Sequence, residues 1–122
     1  MNKPEVISID GVNYRRSDTV QSLAQNEGLD YVVIRSRDSG CHAGYLKSRN
    51  DQSVTLVQSR RLWYWDGASS LSQLAMEGVK KPENCKFPCE VAEIEVLGVC
   101  EIIKATATAR ESINSVETWE QK

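Results

Sequence analysis

Two arginines set directly ahead of an aromatic run carry the strongest chemical signal in this chain: Arg60-Arg61-Leu62-Trp63-Tyr64-Trp65-Asp66-Gly67. Guanidinium forks grip phosphate oxygens in pairs, and indole faces stack on bases or fill cores. Two of the three tryptophans stand here, so the segment holds what a nucleotide-like ligand needs. The same residues also suit an ordinary half-buried strand. As a strand, alternation would set Arg61, Trp63 and Trp65 on one face and Arg60, Leu62 and Tyr64 on the other. Tyr31, Val33, Arg35 and Arg37 would share a face in the same way. An arginine beside an aromatic can stack on it, or its aliphatic stem can merely cover the ring.

Catalytic constellations are weak. The single histidine, His42, follows Cys41 directly, and neighbours on a strand point to opposite faces, so the two are poorly placed as a nucleophile and its base. Carboxylates are plentiful, but no pair has a diagnostic spacing. Neither a GxGxxG nor a Walker pattern occurs. Cys85-x-x-x-Cys89 with Cys41-His42 makes a loose zinc set that has only one histidine, and small, partly buried thiols are the better reading. The expectation is a binding protein, neither an enzyme nor a metalloprotein, with no cofactor.

The elements that must position these residues read as follows. Val6 to Tyr14 is a hairpin turning at Asp10-Gly11. A helix starts near Ser17-Asp18-Thr19, carries Val20, Leu23 and Ala24, and stops at Gly28. Strands follow at Tyr31–Ile34 running into Arg37, at Ala43–Leu46, at Ser53–Val57 and at Leu62–Trp65, with turns at Asp38-Ser39-Gly40 and Asn50-Asp51-Gln52. Ser70-Leu71-Ser72-Gln73 is a capping box that opens a helix ended by Gly78. Residues 79–90 are a loop holding the one phenylalanine, Phe87, which serves either as a core plug or as a ligand platform. A strand runs from Glu93 through Ile103, and a last short helix opens at Thr108-Ala109-Arg110-Glu111. The fold class is α+β: a small antiparallel meander decorated with two or three short helices. Residues 1–28 read as an N-terminal appendage and 29–122 as a single sheet domain.

The bulk properties narrow the class. The chain has 122 residues, 40% hydrophobic and 26% charged, which fits one core. No apolar run approaches the roughly 20 residues a membrane helix requires, and the N-terminus has no signal-peptide core. A net charge of −2 argues against a general DNA binder. The charge is uneven: Arg35, Arg37, Lys47, Arg49, Arg60 and Arg61 crowd the middle, while Glu90, Glu93, Glu95, Glu101, Glu111, Glu117 and Glu120 crowd the end. That pattern can steer an anion to one place, or pair two faces with each other.

The segments Tyr31-Val32-Val33-Ile34-Arg35, Gly44-Tyr45-Leu46, Arg60 to Ala68, Leu71 to Val79, Cys85-Lys86-Phe87, Glu101-Ile102-Ile103 and Val116-x-x-Trp119 resemble a family of small phage and prophage proteins. That family includes, or lies close to, the first type of Thoeris anti-defence protein. The resemblance spans about residues 29–119. It implies a protein of the host cytoplasm that sequesters a cyclic ADP-ribose isomer without cleaving it, and in some members cyclic oligonucleotides. It also implies dimers or hexamers with the ligand at a dimer interface, and a pocket of arginines and a phenylalanine. The positions that fit are Arg35, Arg60, Arg61 and Arg110 for phosphate, with Phe87 and Trp63 for stacking. The competing expectation is a phage protein–protein interaction module that inhibits a host protein through its aromatic strand.

Overall fold

The computed structural model describes residues 23–121; the hairpin expected at 6–14 and the start of the helix expected from 17 lie outside them. Six strands and two helices follow in the order β1 (Gln25–Asn26), β2 (Leu29–Ser36), β3 (Gly40–Asn50), β4 (Ser53–Arg61), α1 (Leu71–Glu77), β5 (Val91–Val96), β6 (Val99–Lys104) and α2 (Ala107–Ser115). The class is α+β, and every strand pairing is antiparallel.

β2 to β5 form a meander, each strand beside the next. β6 departs from it. Only Leu97 and Gly98 separate β5 from β6, yet β5 pairs with β4 and β6 pairs with β2. The expected single strand is therefore two halves of one bent strand, which bridges both margins of the meander and curls the sheet. Gly98 makes the bend at φ +69°, a conformation open to glycine at little cost. The bend is moored on both sides: Val99 N–H donates to Gln52 O at 2.8 Å, and Arg37 N–H to Gly98 O at 3.1 Å.

The curl explains why Tyr31 to Ile34 are apolar without alternation. Val32 and Ile34 pack with Val54, Leu56, Val96 and Val99 on one face. Tyr31 and Val33 point the other way, to Ala43, Tyr45, Leu62 and the helices' Leu71, Leu74, Ala75 and Ile113. A strand buried on both faces reads as a continuous apolar run.

Several local readings need correction. Gln25-Asn26 is a short strand, not the end of a helix: it folds back on Leu29-Asp30 through Glu27 (φ 53°) and Gly28 (φ 80°). Two positive-φ residues in a two-residue loop match the twist of an antiparallel pair. Ala24 is buried in the same core as α1 and α2. The strand expected at 62–65 does not form; β4 runs on to Arg61 and ends there. α2 starts one residue before the expected capping box, at Ala107, because Thr106 is its cap, with Oγ1 accepting from Ala109 N–H at 3.0 Å. That hydroxyl also donates to Met76 O at 2.7 Å, a bond to the other helix that local spacing cannot foresee. Ser70 caps α1 as expected, accepting from Gln73 N–H at 3.1 Å, and Gly78 ends it.

Candidate ligand groove

Arg61, Trp63 and Trp65 line one open groove of about 360 Å³ together with Ser39, Gly40 and Cys41. Leu62 N–H donates to Cys41 O at 2.9 Å, so pairing with β3 persists one residue past β4 before the chain turns away. Tyr64 then exchanges backbone bonds with Lys86 at 3.2 and 2.8 Å. Further on, Asp66 N–H donates to Cys85 Sγ at 3.4 Å and Asn84 Nδ2 to Asp66 Oδ2 at 3.0 Å. The aromatic run is thus held by β3 at its start and by the 80s loop at its middle and end.

Arg61 is exposed, and its Nη1 donates to Ser39 O at 2.7 Å. No carboxylate pairs with it among the described residues. Trp63 is 64% exposed, while Trp65 packs against the helix-side core. Ser39 Oγ is buried with no hydrogen-bond partner, an unspent polar group in a residue of the groove wall. Asp38 stands on the rim and opposes a dianion there. Burial raises the Cys41 thiol pKa, which favours the neutral thiol. The turn residues Ser39 to Cys41 gave no sequence signal for the groove beyond the Asp-Ser-Gly turn itself.

The remaining candidate residues lie elsewhere. Arg35 lies on β2, paired with Cys41 on β3 and Glu101 on β6, with Nε 3.6 Å from the Glu101 carboxylate. Arg110 donates through Nη1 to Gln25 O and to Tyr45 Oη, both at 3.2 Å, tying α2 to β1. Arg60 and Phe87 do meet, the guanidinium carbon 5.5 Å from the ring centre, but they meet in the interior. Phe87 is 0% exposed, which makes it the core plug. Arg60 is 5% exposed and donates to four carbonyls: Pro88 (3.2 Å), Phe87 (3.0 Å), Ile113 (2.9 Å) and Val116 (2.8 Å). Alternation through the β4 end explains the split: Arg61 turns to the groove and Arg60 to the helices.

Among the described residues no His/Cys/Asp/Glu group is arranged to hold a metal, and no helix is long and apolar enough to cross a membrane.

Against known families, residues 29–113 match the domain of unknown function DUF6948. The chain belongs to that family. The family domain takes in β2 through most of α2, and with them every residue of the groove and every interior partner of Arg60 but Val116. No curated protein and no solved structure matches the chain.

Proposed function

We propose that this protein is a non-enzymatic binding protein that captures a cyclic ADP-ribose isomer at the groove of Arg61, Trp63 and Trp65. Withholding that signal in the host cytoplasm would block Thoeris-type defence, as the family resemblance implies. The observation that carries the reading is one juxtaposition: an exposed guanidinium with no carboxylate partner among the described residues, lining one groove with an exposed indole. The guanidinium supplies charge-assisted bonds to a pyrophosphate and the indole a face for adenine. Cyclic oligonucleotide signals offer the same two groups.

The groove is open and at the lower end of small-molecule pocket sizes. A protein that sequesters without turnover needs a dissociation constant on the order of nanomolar, about −12 kcal/mol, and an open groove buries too little ligand for that. A second copy laid over Trp63 closes it, so the reading includes self-association as a dimer or hexamer.

The test is isothermal titration with cyclic ADP-ribose isomers and cyclic oligonucleotides, with the ligand recovered after heat denaturation. Nanomolar binding with release of unchanged ligand supports the reading. Loss of binding in Arg61→Ala and Trp63→Ala, with an unaltered circular dichroism spectrum, locates it. Silence across the panel overturns it. The second reading, inhibition of a host protein, is favoured by the exposure of Tyr64 (51%) and Trp119 (49%) beyond the groove; a stoichiometric complex with a host protein that Tyr64→Ala breaks supports it.

A further inference from the structure

The carbonyl that anchors Arg61 also anchors the only histidine of the chain. Arg61 Nη1 donates to Ser39 O at 2.7 Å, and His42 Nε2 lies 3.1 Å from the same oxygen. A carbonyl has no proton to give, so His42 Nε2 carries one and donates. The two lone pairs of Ser39 O are then divided between the two side chains. His42 stands opposite Ile34 on β2 and Arg61 on β4, and is 1% exposed. Its ring cannot swing away to solvent.

The turn that presents Ser39 O is held from behind. Ser36 Oγ accepts from the N–H of Asp38 and of Ser39, both at 3.3 Å, and donates to Leu97 O at 2.7 Å. Gly40 follows at φ +82°, leaving the Ser39 peptide a pivot on its C-terminal side. Gly40 is paired with Ser36 at the start of β3, and the two donors on Ser39 O add a further restraint on that peptide.

We propose that His42 is the positioning residue of the groove: through Ser39 O it fixes the peptide that fixes the Arg61 guanidinium. This rests on the ligand reading for its purpose, but the coupling of His42 to Arg61 is a property of the free protein. A guanidinium held before the ligand arrives loses less freedom on binding. Immobilising one such side chain costs roughly 3- to 10-fold in affinity, which sets the expected effect.

The competing role is that of a core filler, and two substitutions separate them. His42→Leu keeps bulk and removes the donor; His42→Gln keeps a donor. The readouts are the Arg61 Nε–Hε resonance of the ligand-free protein, assigned by its absence in Arg61→Lys, and titration with a cyclic ADP-ribose isomer. In His42→Leu the Arg61 resonance is expected to broaden and affinity to fall 3- to 10-fold, with both recovered in His42→Gln. Should His42→Leu fail to fold, His42→Met removes the same donor with another shape and is expected to loosen Arg61 likewise. An Arg61 resonance unmoved in a folded His42→Leu or His42→Met protein overturns the proposal. Wild-type protein that shows the coupling but takes up no nucleotide removes the ligand reading and leaves the positioning intact.

Discussion

Replacing Arg60 by Met is the sharpest test of how this fold is held. The substitution keeps most of the aliphatic stem and removes the guanidinium. Four carbonyls then lose a donor, but not equally. Phe87 O still accepts from Trp119 N–H at 2.9 Å, and Ile113 O from Val116 N–H at 3.3 Å. Pro88 O and Val116 O have no other partner among the described residues. An unsatisfied buried polar group costs about 1–3 kcal/mol, so the two orphans together cost about 2–6 kcal/mol. Relief from burying an unpaired charge returns part of this. A net loss of about 3 kcal/mol is expected. In urea, with a slope of about 1.5 kcal/mol per molar for a chain of this size, the unfolding midpoint falls by about 2 M. Hydrogen exchange in the last turn of α2 should speed more than in β3, because two of the four carbonyls lie at that turn. A midpoint within about 0.3 M of wild type would refute the interior role. So would normal stability combined with lost nucleotide binding, which would return Arg60 to the ligand.

Phe87→Ala is expected to cost about 3–5 kcal/mol, as for a fully buried ring, whereas Trp63→Ala changes stability by less than about 0.5 kcal/mol; thermal melts of the two decide it. Gly67 stands at φ +93°, where an added Cβ would lie 2.4 Å from Lys80 N; Gly67→Ala should destabilise by more than about 2 kcal/mol and disorder the aromatic run, seen as a shift in tryptophan emission. Burial, and then the charge of Arg61, lowers the His42 pKa below its ordinary 6.5. The folded state therefore binds fewer protons than the unfolded chain just below that value, so stability is full above about pH 6.5 and falls as pH drops toward the folded pKa. His42→Gln should flatten that limb of the stability–pH curve.

The first three strands of the meander, the turns at Asp38 to Gly40 and Asn50 to Gln52, and the capped start of α1 at Ser70 were legible in the sequence. Each rests on local physics: alternation, a tight turn, a hydroxyl accepting from a nearby N–H. Alternation also set Arg61 and Trp63 on one face, and the two do line one groove. Three things were decided only by tertiary structure. β6 leaves β5 to pair with β2, a choice between partners some 60 residues apart along the chain. Arg60 turns inward to carbonyls of Phe87, Pro88, Ile113 and Val116, all contributed by later segments. His42 and Arg61 converge on Ser39 O across a strand pair. In each case a local pattern says what a residue can bond, but hydrogen bonding and burial are settled by whichever distant atoms the closed sheet brings within reach.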